Sequence, residues 1–527
     1  MLILQIWREE IKSLDKRLRI LLLLVLLGFN LFYGLGGIPL LDPDEPVYAE
    51  TAREMIQFND YTSPRIFNDF WYDKPPMYYW LVAGTFNAFG VSDFSARFPS
   101  ACMGVATILM FYYAVKRLFD EETGFWSSLV LGTSLEFFYL GKAAVTDMTL
   151  LFFMTGAILA FLNNKFLLMY IMMGLATVTK GPIGIVFPGA IIFLYFLASG
   201  EWRILKKMHI PLGVVIYFLV AGPWYYFMYQ IHGQIFFDTF FGFHNMTRFT
   251  TAEHPERVLW YYYIPVLLVG LFPWTGMLFD ALKKSITESS GTSFKNLMFM
   301  HIWWIFVFLF FSISKTKLVS YIFPLFPPLA VIIGWNIVRV SRERFPGREF
   351  SLAIPSLIMF IVLAAVWFFG GQQLPEMSFG AIVLAGITLL LAIGIVIAFL
   401  HFKDALLASW LHVVAGILTM FVVFTFMLPS VSGRFSVKTA SDYYLENCDK
   451  GIAVHVDKFL RPGFMYYANV PGTEMKPETS DFADLLKTGG AKYIVVRGLE
   501  YRRLAGAEKN RLQLIFNEND IYIFKLE

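Results

Sequence analysis

Charge is what this chain has least of. Charged residues make up 16% of its 527 residues, against 57% hydrophobic, which excludes a water-soluble fold for most of the chain. The formal net charge of +3 supplies no basic footprint for nucleic acid. Cysteine is nearly absent: Cys102 sits in an apolar run and Cys448 in the tail, so neither a disulfide framework nor a CxxC metal site is present. No small-residue cleavage site follows the first apolar run, from Ile20 to about Leu40, and that run is expected to be a retained span, not a secretory signal. Internal repeats and low-complexity segments are also missing.

What the chain has instead is a series of apolar stretches. A spanning helix needs about 20 mostly apolar residues, and on that template thirteen spans fall near 20–40, 96–115, 124–141, 147–163, 166–179, 182–199, 210–229, 258–280, 297–313, 319–338, 351–370, 379–401 and 405–428. With the N-terminus inside, cytoplasmic connections collect Lys116, Arg117, Lys165, Arg203, Lys206, Lys207, Lys283, Lys284, Arg339 and Lys403, as the positive-inside rule requires. The expected architecture is therefore a polytopic α-helical membrane protein of about thirteen spans over 1–429. Its external loops are 41–95 and 230–257, and an external α/β domain occupies 430–527. In that tail "GIAVHV", "AKYIVVRG" and "DIYIFKLE" read as strands, and "DFADLLKTG" as a short helix ended by glycine.

The first external loop concentrates the chemistry. In "LDPDEPVYAETAREM" Pro46 fits the start of a helix, and Tyr48, Ala52, Met55 and Ile56 fall on one face, an amphipathic helix along the membrane surface. Asp44 and Glu45 precede it, where a helix dipole favours negative charge; the bland reading of both is a cap, as it is for Asp147 in "VTDMTLLF". Cations on the cation-poor side are harder to explain by that route. Arg53, Arg65, Lys74, Arg97, Lys142, Lys180, Arg248, Arg257, Lys315 and Lys317 all fall there. Lys74 in "YDKPP", Lys180 in "TKGP" and Lys315 with Lys317 in "SKTKLVSY" are flanked by breakers or small residues at membrane depth, where charge is costly and usually functional. Converging cations suit a phosphate or pyrophosphate whose lipid tail stays in the bilayer. His244 and Arg248 lie one helical turn apart in the second loop, and Asp, His and a second acid could hold a divalent cation. The aromatics Trp71, Tyr72, Tyr78, Tyr79 and Trp80 fit an interfacial belt or a sugar platform.

Taken as a set, the stretch from Leu41 to Ser100 together with "KAAVTDMTLLFF", "TVTKGPIGIVFP", "FHNMTRF" and "SKTKLVSYIFPLFPPLA" resembles the membrane glycosyltransferases of the GT-C fold, in the bacterial branch that contains the lipid A aminoarabinose transferases and is related to protein mannosyltransferases. The resemblance implies transfer of a sugar from a polyprenyl (undecaprenyl) phosphate to an acceptor, lipid A or a related glycolipid, on the outer face of the bacterial cytoplasmic (inner) membrane, with inversion at the anomeric carbon. It implies Asp44 as general base and Asp147 near the acceptor. Lys74, Arg248 and Tyr321, with Lys315 and Lys317, would hold the donor phosphate, and Asp73 with His244 would bind a divalent metal (Zn, Mg or Mn). Glu45, Lys180 and Tyr48 are further candidates. Two residues depart from the family pattern. Asp73 stands where relatives commonly have Glu, which weakens the metal reading, and Val47 stands where the aminoarabinose transferases carry Arg, which weakens the case for the same sugar. The competing readings are a transporter or flippase of lipid-linked sugars, for which inverted repeats would be expected, and a transferase of the same fold acting on a protein.

Overall fold

A computed structural model describes residues 15–247, 259–342, 349–475, 492–503, 509 and 511–526. Each of the thirteen apolar stretches is helical there over all or part of its length, and the chain is a multi-pass helical membrane protein. Their lengths are not uniform. Among the described residues seven helices are long and apolar enough to cross a membrane, and the pair Tyr263–Gly270 and Thr275–Thr287, bent by 103°, makes an eighth if counted as one. Three apolar helices, Asp147–Leu162, Phe166–Lys180 and Ile183–Ser199, are shorter. The first stretch passes through a π-helical turn at Leu24–Gly28, and the third divides into Glu121–Gly132 and Leu135–Gly141. Seven or eight of the described helices are thus full-length, with shorter ones packed among them. Apolar composition reads alike for a helix in lipid and one inside a bundle: nearly every residue of Asp147–Leu162 is buried against protein.

Helices of both the membrane part and the tail position the site. They are α1 (Asp44–Gln57), α2 (Met77–Phe89), α3 (Asp93–Leu118), α4 (Asp147–Leu162), α5 (Phe166–Lys180), α6 (Ile210–Phe237) and, in the tail, α7 (Arg461–Ala468). Helix α1 begins two residues before Pro46, so Asp44 and Glu45 occupy its first turn. The apolar face expected to lie on the membrane surface packs on protein instead. Ala49 and Ala52 join Tyr78, Val82 and Phe86 of α2, Ala96 of α3 and Tyr466 of α7 in one buried cluster. Ser92 caps α3 by accepting from the Ser95 amide, and Lys116 and Arg117 end it where the dipole favours cations.

The tail forms a five-stranded sheet of β1 (Ala453–Asp457), β2 (Thr473–Met475), β3 (Lys492–Arg497), β4 (Gln513–Glu518) and β5 (Ile521–Leu526) in the order β2-β1-β3-β5-β4. β1 pairs in parallel with β2 and β3; β5 pairs antiparallel with β3 and β4. The three expected strands are β1, β3 and β5, whereas the expected helix "DFADLLKTG" lies outside the described residues. Central β3 is buried on both faces through Tyr493, Ile494, Val495 and Val496, which is why it reads as a continuous apolar run.

One buried ion pair ties the membrane part together. Glu45, 4% exposed, receives the Arg97 guanidinium, 2% exposed, in a two-pronged contact of 2.8 and 2.6 Å. The remaining Arg97 donors go to the carbonyls of Leu35, Ile38 and Pro39. The Glu45 carboxylate also accepts from the Leu41 and Ala144 amides. Removing one partner strands the other charge in a dry site, so Arg97→Ala is expected to cost about 3–5 kcal/mol. Arg97→Lys should restore little of this, because an ammonium lacks the planar fork. Thermal unfolding of the purified variants in detergent checks both, and an unchanged transition in Arg97→Ala would refute the role.

Candidate functional site

Three helix ends meet beside α1. Asp44 opens α1 and Asp147 opens α4; Lys180 closes α5, where Gly181 adopts φ 88°. The Lys180 ammonium donates to Asp147 at 2.7 Å and lies 5.5 Å from the centre of the Tyr321 ring. Lys74 donates to the neighbouring Asp73 carboxylate at 2.8 Å. Asp44 is exposed, yet enough protein surrounds it that desolvation raises its carboxyl above the ordinary 3.8; Asp147, Glu45 and Asp73 raise it further and Lys74 lowers it. The side chains around that accessible carboxylate, among them Asp73, Lys74 and Asp147, form the candidate recess. Tyr48, one turn along α1, packs against Tyr78 and Tyr79 at ring separations of 5.6 and 5.8 Å. Burial, with the charges of Asp73 and Asp147, pushes its hydroxyl up.

Asp44, Tyr48, Asp73, Lys74, Asp147, Lys180 and Tyr321 are therefore brought together. Other sequence candidates have different surroundings. Glu45 faces Arg97, away from the recess. Lys317 is buried, with its ammonium donating to the carbonyls of Phe311 and Ser312 at the end of a helix, while Lys315 is exposed beside it. Arg248 and the side chain of His244 lie outside the described residues. Several of the anomalous external cations have structural partners: Arg65 pairs with Asp60 and stacks on Phe70, and Lys142 is buried on the carbonyls of Asn30 and Tyr33. Among the described residues no three His, Cys, Asp or Glu side chains converge as ligands for a metal, and the Asp73 carboxylate is engaged by Lys74.

Sequence reasoning missed two positioning clusters. His232 of α6 contacts the Ser63 hydroxyl through Nε2 at 2.8 Å and the Tyr72 hydroxyl through Nδ1 at 3.1 Å, fixing the strand of loop that leads into Asp73 and Lys74. Asp42 and Arg53 attach α1 to the tail. Asp42 accepts from the Val437 amide at 2.8 Å, and a Cβ on Gly463 would meet the Asp42 carboxylate at 2.2 Å. Arg53 is held by Glu50 at 2.8 Å and donates to the carbonyls of Met465 and Tyr466 and to the side-chain oxygen of Asn469. These pairings span more than 390 positions of sequence, so no local spacing could signal them.

Comparison with solved structures identifies the fold that holds these residues. A crystal structure of ArnT from Cupriavidus metallidurans bound to undecaprenyl phosphate superposes with a TM-score of 0.80 at 20% identity, covering 96% of this chain and 97% of that one. The chain has the GT-C fold. An archaeal oligosaccharyltransferase from Archaeoglobus fulgidus matches the same fold more distantly, with a TM-score of 0.50, 13% identity and coverage of 92% of this chain and 70% of the other. Residues 73–227 match the family described as dolichyl-phosphate-mannose-protein mannosyltransferase. Among curated proteins, this GT-C chain resembles the undecaprenyl phosphate-alpha-4-amino-4-deoxy-L-arabinose arabinosyl transferases. It is 28% identical to that of Aeromonas hydrophila over 67% of this chain and 68% of the relative. It is 31% identical to that of Pectobacterium atrosepticum over 63% and 62%. An uncharacterized protein of Aquifex aeolicus is 30% identical over 60% of this chain and 63% of its own length. The matches thus span about two thirds or somewhat less of these relatives.

If α1 is held in place from the tail, loosening that grip should free the tail. Asp42→Ala combined with Arg53→Ala is expected to make the link between the membrane helices and the sheet cleavable at several-fold lower protease concentration. Limited proteolysis followed by mass analysis reads this out, and an unchanged cleavage pattern would count against the docking role.

Proposed function

We propose that this chain is an integral-membrane glycosyltransferase. It moves a sugar from a polyprenyl phosphate, undecaprenyl phosphate being the carrier named for its relatives, to lipid A or a related glycolipid at the outer face of the bacterial cytoplasmic membrane. The observation that carries this reading is the recess in which the accessible carboxylate of Asp44 stands among Lys74, Asp147 and Lys180. Lysine and arginine distribution supports the outward orientation of that recess and of the residues beyond 430.

In this reading Asp44 takes the proton from an acceptor hydroxyl, and the hydroxyl oxygen attacks the anomeric carbon opposite the phosphate. The bond from that carbon to the phosphate oxygen breaks, and the lipid phosphate departs with the electron pair. Lys74, with Tyr321 and Lys180 nearby, stabilises the charge on it. Configuration inverts because one displacement occurs. For an acceptor that is already an ionised phosphate, Asp44 orients the nucleophile instead. Asp147, held by Lys180, stands on the acceptor side. His244 and Asp73 remain the residues proposed to meet a divalent metal, and no step is assigned to one.

The test supplies purified protein with extracted polyprenyl-phosphate sugars and lipid A, using Asp44→Asn as control. A mass-shifted acceptor with the native chain and at least a hundredfold less with the variant (about 10²–10⁴ for a general base) is the expected result. Full transfer by Asp44→Asn would remove Asp44 from the role, and no loss of sugar from any donor lipid would favour transport.

The pH profile gives an independent check. A general base must be ionised, so kcat/KM should fall as pH drops through the raised Asp44 pKa, above the ordinary carboxylate value of 3.8. Asp147→Asn removes a charge that raises it and should move this acid limb to lower pH. Lys74→Ala removes a charge that lowers it and should move the limb to higher pH. A limb that stays put in both variants would mean another group titrates.

A further inference from the structure

Helices α3, α4 and α5 carry Arg97, Asp147 and Lys180 at one end. Their opposite ends surround a cleft of about 170 Å³ lined by Met110, Tyr113, Arg117, Gly156, Lys165 and Met172. The rise of α4 places this cleft about 14–24 Å from the candidate site, toward the other membrane face. Its wall is apolar, and its floor exists because position 156 lacks a side chain: a Cβ there would meet the Met110 sulfur at 3.0 Å and the Met172 sulfur at 3.4 Å.

The rim is cationic. Arg117 and Lys165 are exposed, and the ammonium groups of Lys16 and Lys116 lie 5.7 and 5.6 Å from the centre of the Tyr113 ring. Of the nearby carboxylates Asp120 and Glu122 are committed to Arg342, and Glu121 pairs with Lys116 at 3.9 Å, which leaves Arg117 and Lys165 as the cations facing the cleft. The turn presenting Lys165 is fixed. Asn164 adopts φ 58°, the Lys165 amide donates to the Ala160 carbonyl and the Asn164 amide to that of Phe161, the double closure of a Schellman motif. The Asn163 amide ties this turn to the Leu159 carbonyl.

We infer that the cleft between α3, α4 and α5 binds an anionic phospholipid, with the headgroup phosphate between Arg117 and Lys165 and an acyl chain along Met110, Gly156 and Met172. A basic rim between spans at a membrane face is the arrangement that attracts anionic headgroups. The apolar wall selects a ligand with a hydrocarbon tail over a free anion.

The full-length chain, purified in detergent, is titrated with dioleoyl-phosphatidylglycerol or dioleoyl-phosphatidylcholine and bound lipid is counted by native mass spectrometry. Phosphatidylglycerol should be retained in preference. The double variant Arg117→Ala with Lys165→Ala should bind it roughly ten- to thirtyfold more weakly. Both side chains are exposed, so the variant leaves the packing intact. Ala114 also lines the cleft, and Ala114→Phe, which narrows it and keeps both cations, should likewise reduce retention, with thermal unfolding confirming that it folds. Equal binding of the two lipids, an unaltered double variant, or full competition by soluble glycerol phosphate would each overturn the assignment.

Discussion

The contact between Glu45 and Arg97 governs how the segments around the start of α1 can lie. Its hydrogen bonds reach residues 35, 38, 39, 41 and 144 as well as the two charged groups themselves. One guanidinium and one carboxylate thereby fix the exit of the first helical stretch, the start of α1, the side of α3 and the segment leading into α4. Asp44 immediately precedes one end of this knot, and Asp147 follows shortly after the other. Neutral side chains of similar shape would pack there with less desolvation cost. They would not supply the directional bonds that place five backbone groups at once.

Within the recess, charge is balanced locally. Lys74 is matched by Asp73 and Lys180 by Asp147, so the unliganded recess does not hold isolated cations at membrane depth, where they would be costly. On the proposed reading, an entering phosphate competes with these carboxylates for the same ammonium groups, and the electrostatic gain on binding is the difference between two pairings. The carboxylate released from a lysine becomes a stronger hydrogen-bond acceptor toward the acceptor substrate.

Apolar periodicity and turn chemistry carried the helical class, the tail sheet and the location of α1 in the sequence. The segments "YDKPP" and "TKGP" stood out because lysine beside breakers at membrane depth has few structural explanations, and both lysines do lie at the recess. The same reasoning applied to Lys317 pointed to phosphate, whereas its ammonium donates to the carbonyls of Phe311 and Ser312; a charge at a helix end reads alike in both roles. Glu45 was readable as a cap or a further site candidate but not as half of an ion pair, since its partner lies 52 positions away. Nothing local marked Asp42, Ser63 or His232, whose roles depend on contacts across the fold. The number of full-length spans was similarly hidden, because breaks such as the 103° bend near Pro273 interrupt a segment without lowering its hydrophobicity.

The grip of the tail on α1 orders events during synthesis. Helix α1 leaves the ribosome early, yet the amide that satisfies Asp42 belongs to Val437 and the carbonyls that receive Arg53 belong to Met465 and Tyr466. Until those residues have been made, one side of the helix bearing Asp44 lacks these partners, and contacts this distant in sequence form late. The growing chain can therefore insert its membrane helices well before one side of α1 gains its partners in the tail.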